Sequence, residues 1–180
     1  MHATPTRLLI LSDLWGNSQA EWWPLYTSKL APYFDLKFYD SCRLAGISPS
    51  DDEAERHQQF IDGGIARAAK ALITREQQHN PIILGFSIGG TIAWQACLNT
   101  LNATHLFAIS ATRLRKQTQK PPVKLHLIYG DKDTHRPAKD WHEDLGIAQQ
   151  LINNADHELY RSPEIADAIC QELIVLKNND

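Results

Sequence analysis

The sequence predicts a doubly wound α/β domain built on a mainly parallel sheet. Three observations predict it. Short, continuous apolar runs recur along the chain, as strands covered on both faces require. Stretches with helical spacing separate them, the alternation of an α/β domain with helices on both faces. The chain can also form a real core: 180 residues, 43% hydrophobic and 22% charged, lie near globular averages. At this length roughly 70% of the unfolded surface is buried on folding, and residues 1–180 read as one domain.

Residues 7–12 (RLLILS) form the first expected strand. Residues 35–40 (DLKFYD) alternate more and suit an edge-ward position. Residues 81–86 (PIILGF), 104–109 (THLFAI) and 123–129 (VKLHLIY) follow, and 147–152 (IAQQLI) make a weaker sixth. The first helical stretch, 20–32, carries Trp22, Trp23, Tyr26 and Leu30 at helical spacings. Adjacent positions do not share a helix face, so one tryptophan belongs to the core and its neighbour is partly exposed. In the long stretch 51–78, Phe60, Ile61, Ile65, Ala68, Ala69, Leu72 and Ile73 mark the buried face, and Gly63-Gly64 argues against one unbroken helix. Residues 88–101, 137–146 and 163–177 complete the helices, the last entered through Ser162-Pro163.

Charge and cysteine usage narrow the function classes. Eighteen Lys and Arg against 21 Asp and Glu give a net charge of −3. A general nucleic-acid or anionic-membrane binder shows the opposite excess. Residues 1–6 carry no apolar run that would read as a signal peptide, and no stretch approaches a membrane span. Cys42, Cys97 and Cys170 are odd in number, widely spaced and without metal-ligand spacing. They read as reduced thiols of a cytoplasmic protein.

The chemistry is concentrated in the turn after the third strand, Gly85-Phe86-Ser87-Ile88-Gly89-Gly90. It is a G-x-S-x-G sequence between a strand and a helix. Such a turn is so tight that side chains two residues either side of the serine would strike backbone. The serine is forced into a strained conformation, and the helix after it aims its N-terminal N–H groups at the same spot. A serine hydroxyl becomes a competent nucleophile when a base takes its proton. Two later turns supply candidates, 129–137 (YGDKDTHRP) and 154–159 (NADHEL), each just past a strand end, where open α/β sheets place functional groups. The chain order Ser, Asp, His matches this type of site.

On these residues the chain resembles the α/β-hydrolase superfamily, from Leu8 to about Leu176. The resemblance implies a minimal six-stranded core in the order 2-1-3-4-5-6. It implies Ser87 as nucleophile, His157 as base and an aspartate as its partner. The spacing Gly130 to Asp133 is similar to the family's acid-bearing turn and favours Asp133, with Asp131 the alternative. His135 is the rival base and the better rim residue. His2, His57, His79 and His142 read as exposed, while His105 and His126 lie within strands. Asp156 stands where the family usually has a glycine before the histidine.

The oxyanion donors implied are the N–H of Ile88 and one from the loop after the first strand. Aligning Trp15-Gly16 on the family's His-Gly-x-Gly makes Trp15 that second donor, with Leu14 the alternative. Asp13 and Leu14 stand where His and Gly are common. The activity implied is hydrolysis of a carboxylic ester or acyl thioester, with no metal or organic cofactor. The same nucleophile would serve an amidase, a peptidase or an acyltransferase, and a binding protein could keep the fold without turnover.

Many relatives insert a cap domain after the fourth strand. Here that connection is residues 110–122, thirteen in all, too few for a helical cap. It contains Arg113, Arg115, Lys116 and Lys120 and no acid. Such a run suits an acidic partner or substrate, such as the phosphopantetheine arm of an acyl carrier, or else a solvated loop.

Overall fold

A computed structural model describes residues 5–48, 50 and 52–179; His2, read as exposed, lies outside them. Strands β1 (Arg7–Leu11), β2 (Asp35–Tyr39), β3 (Ile82–Phe86), β4 (His105–Ile109), β5 (Lys124–Gly130) and β6 (Gln149–Ile152) all run parallel. Their order is β2-β1-β3-β4-β5-β6. Alternate residues of each strand face opposite sides, so an all-apolar strand buries both. On one side α2 (Ser41–Ala45), α4 (Ile65–Glu76), α5 (Ile88–Asn99) and α6 (Lys139–Leu145) pack over Leu9, Leu11, Ile83, Leu106 and Leu127. On the other, α1 (Pro24–Leu30) and α7 (Pro163–Asn179) cover Leu8, Ile10, Leu84, Phe107 and Ile128. Each such side chain, fully buried, stabilises the fold by about 1.5–3 kcal/mol.

Several expected elements are trimmed, for local reasons. The helix expected from residue 20 begins as α1 at Pro24, because proline is tolerated in a first turn and not in an interior. Trp22 is buried in the core and Trp23 half-buried. The long stretch breaks into α3 (Glu53–Gln59) and α4, with Gly63 at φ +93° in the kink between them. The kink turns Ile61 outward, to 37% exposure, against the expectation that it joins the buried face. His142, expected at the surface, is buried against Tyr129 and Trp141. Helix α2 was not expected. Asp40 caps it by accepting the Arg43 N–H at 3.0 Å, and Gly46 ends it at φ +62°. No helix among the described residues is long and apolar enough to cross a membrane.

At the entry to the sheet one charged group ties three elements together. The carboxylate of Glu76, at the end of α4, is fully buried. It accepts Arg7 Nε at 2.7 Å and Nη2 at 2.9 Å, and also the Tyr39 hydroxyl. Burial alone would raise its pKa, but the Arg7 and Tyr39 hydrogen bonds outweigh it and hold the carboxyl below its ordinary 4.5. Because the folded-state value lies below the unfolded one, this stabilisation is complete above about pH 4.5 and fades as pH falls through the folded value. Glu76→Ala leaves Arg7 with only its 2.9 Å bond to Asp35, and is expected to destabilise the protein by about 3 kcal/mol. The midpoint of urea unfolding measures this, and the loss should shrink below pH 4.5.

Candidate active site

Ser87 occupies the turn between β3 and α5 at φ +50°, ψ −115°, a conformation that costs a non-glycine residue about 1–3 kcal/mol. The turn is held on both sides: Ser87 N–H donates to Ile109 O at 2.8 Å, and Ser87 O accepts Gly90 N–H at 3.1 Å. The flanking glycines are there for lack of room. A Cβ on Gly89 would sit 2.4 Å from Ser12 O, and one on Gly85 would sit 2.7 Å from Gly90 N.

The two late turns meet this serine. His157 Nε2 lies 2.9 Å from Ser87 Oγ, and His157 Nδ1 lies 2.8 Å from Asp133 Oδ2. The other carboxylate oxygen, Oδ1, accepts the His135 N–H at 3.0 Å. Burial would raise the Asp133 pKa, but hydrogen bonds from His157 and the His135 N–H prevail and hold it below its ordinary value. An ionised Asp133 fixes the proton on Nδ1 and leaves Nε2 to accept the serine hydroxyl. Asp131 is exposed, and no hydrogen bond joins its carboxylate to His157 among the described residues.

Main-chain bonds stitch these turns together. Asp131 N–H donates to Ile152 O at 3.1 Å and Lys132 N–H to Ala155 O at 3.0 Å. Asp156 shapes the histidine loop with its own side chain, which accepts the Glu158 N–H at 2.9 Å. His135 stays at the rim, exposed beside the same cavity.

The loop after β1 departs from expectation. Trp15 N–H donates to Asp13 Oδ1 at 3.0 Å, so the donor first assigned to the oxyanion is already engaged. The N–H groups of Leu14 and Ile88, both at the cavity, have no partner among the described residues. Asp13 is 1% exposed; its Oδ2 accepts the Tyr160 hydroxyl at 3.0 Å and Arg161 Nη2 at 3.2 Å. Burial raises its pKa despite the hydrogen bonds from Trp15, Tyr160 and Arg161. Buried Arg56 of α3 braces the same loop from above. It donates to Trp15 O at 3.1 Å and lies over the indole at 5.1 Å. Neither Asp13–Tyr160 nor Arg56–Trp15 has a local sequence signature.

The resulting cavity, about 720 Å³, is lined by Ser87, His157, Leu14, His57, Arg113 and Arg115 among others. Lys116 and Lys120, from the same basic run, do not line it. The connection that carries them forms a single turn, Thr112–Lys116.

Sheet order, strained serine turn and the absence of an inserted cap define the α/β-hydrolase fold in its lidless form. No protein-family model matches the chain. Among curated proteins it is 29% identical over 146 residues to the uncharacterised protein RP471 of Rickettsia prowazekii, covering 68% of this chain. The chain spans 61% of that relative's length. Among solved structures it is similar to a predicted CIB-like hydrolase of Thermoplasma acidophilum, with a TM-score of 0.68, 17% identity and coverage of 99% and 89% of the two chains. It is similar to XC6422 of Xanthomonas campestris, an α/β serine hydrolase without a lid, with a TM-score of 0.62, 16% identity and coverage of 94% and 81%. A bromoperoxidase of Bacillus anthracis gives a TM-score of 0.65, 14% identity and coverage of 99% and 94%. At these identities the likeness is one of fold, and fold alone does not assign chemistry.

Proposed function

We propose that the protein is a serine hydrolase that cleaves a carboxylic ester or acyl thioester through an acyl-enzyme. One observation carries the reading: an unbroken chain of 2.9 and 2.8 Å contacts from the strained Ser87 through His157 to buried Asp133. Ser87 Oγ attacks the acyl carbon as His157 Nε2 takes its proton, and Asp133 stabilises the imidazolium. The oxyanion receives the Ile88 N–H at the start of α5 and the Leu14 N–H; Trp15 N–H is spent on Asp13. The tetrahedral intermediate collapses, the C–O or C–S bond breaks, and His157 protonates the departing alcohol or thiol. Water then attacks the acyl-enzyme, giving its proton to His157, and the carboxylic acid leaves as Ser87 recovers its hydrogen.

A fluorophosphonate probe tests this. Covalent labelling is expected at Ser87 in the wild type and is expected to disappear in His157→Ala, read by intact-protein and peptide mass spectrometry. Folded wild-type protein that never labels, under conditions where a known serine esterase does, overturns the reading.

A further inference from the structure

We infer that the cavity over Ser87 selects acyl substrates bearing a second, anionic group, a carboxylate or a phosphate, which Arg113 holds while Ser87 engages the carbonyl. The inference rests on the hydrolase reading and narrows its substrate class. Arg113 and Arg115 flank Leu114 on the turn Thr112–Lys116. Leu114 is fully buried, and Ala111 O, just before the turn, accepts the Tyr129 hydroxyl at 3.3 Å. Both arginines therefore stand on a fixed platform. Arg115 is tethered further, donating from Nη1 to Thr112 O at 2.8 Å and His135 O at 3.3 Å.

Arg113 differs from its neighbour. It is half-buried, lines the cavity with Ser87, and has no hydrogen-bond or ion-pair partner among the described residues. A guanidinium is shaped for two-point contact with a carboxylate or phosphate, and this one is left unpaired in the cavity that Ser87 also lines.

Among the described residues, none of the acids of the cavity wall forms an ion pair with Arg113. Asp13 is occupied by Trp15 N–H, Tyr160 and Arg161, and Glu158 lies 3.4 Å from Arg161. Glu53, on α3, is exposed and forms no ion pair among the described residues. Facing the arginines from α3 is His57. Burial, then the Arg113 and Arg115 charges, lower its pKa, so near neutral pH it adds an uncharged N–H to the same wall. Lys116 and Lys120 do not line this cavity, and Lys120 Nζ sits 3.5 Å from Gly146 O. Arg113, which shares the cavity with Ser87, thus addresses a group small enough to enter it.

Two matched substrate pairs test the inference. One is 4-nitrophenyl butanoate against the mono-4-nitrophenyl ester of glutarate. The other is S-butanoyl pantetheine against its 4′-phosphate. In at least one pair the anionic member is expected to have a kcat/KM about ten-fold higher or more, and Arg113→Gln should erase that ratio mainly through KM. Arg113→Glu should invert it. A response in the first pair places the anion on the acyl group, and one in the second places it on the leaving group. Equal kcat/KM within both pairs, or equal losses within each pair in Arg113→Gln, overturns the inference. Turnover confined to protein-bound acyl groups overturns it as well.

Labelling of Ser87 by the fluorophosphonate, run in parallel, separates the two readings. Labelling without anionic preference removes the substrate class alone. If the wild type neither labels nor turns over any ester, titration calorimetry with glutarate and with inorganic phosphate decides the anion site separately. Binding that is lost in Arg113→Gln supports the site, and absence of binding overturns it.

Discussion

Ser87→Ala is expected to lower kcat/KM on the best acyl substrate by about 10⁴-fold or more, with folding intact. The activity loss is large because no other side chain takes over. His157 Nε2 would face a methyl group, and water would have to attack the substrate without a covalent intermediate. What survives would be the residual effect of binding and of the Ile88 and Leu14 N–H groups. The structural cost is small, since Ser87 Oγ makes its one side-chain hydrogen bond to His157. A melting curve within about 1 kcal/mol of wild type is expected. Steady-state kinetics with a 4-nitrophenyl ester, checked by circular dichroism, reads both. Full activity in this variant would remove Ser87 as nucleophile.

The second large effect comes from a residue outside the hydrogen-bonded chain. Gly130 ends β5, and a Cβ there would sit 2.1 Å from Ala155 O and 2.6 Å from Asp156 O. These are backbone atoms of the loop that carries His157, so no side-chain rotation relieves the clash. Gly130→Ala must push the histidine loop away from the acid turn, straining the Lys132 N–H to Ala155 O bond. A displacement near 1 Å costs a relay of this kind about 10²-fold in rate, and the overpacking costs about 1–3 kcal/mol of stability. Both losses should appear together, the first as slower fluorophosphonate labelling of Ser87 and the second as a lower urea midpoint. Wild-type values for both would show that the loop is placed by something other than this contact.

How far the sequence foretells this structure depends on the range of the interaction. Strands such as PIILGF and THLFAI announce themselves because a parallel strand buried on two faces must be apolar throughout. The Ser87 turn is legible for a related reason: steric crowding dictates the residue types at fixed offsets. Helix α2 escapes because five residues are too few to show a 3.6-residue period, and only its caps, Asp40 and Gly46, mark it. Ile61 is misplaced because the periodicity is read through a kink that restarts the helical phase. The rim is the least legible part. Asp13 meets Tyr160 across 147 positions, and Arg56 meets Trp15 across 41. Neither contact leaves a pattern in its own neighbourhood, whereas the Trp15 N–H is diverted locally, by Asp13 Oδ1 two positions before it.

The pinned turn Thr112–Lys116 also bears on time. Where hydrolases carry a mobile cover, opening and closing can set the pace of turnover. Here the segment that would bear such a cover is thirteen residues long and anchored by buried Leu114. With no cover on this connection among the described residues, turnover should follow the bond-making steps and ordinary diffusion into the cleft. Solvent viscosity should then slow the proposed hydrolysis only as far as it slows encounter with substrate.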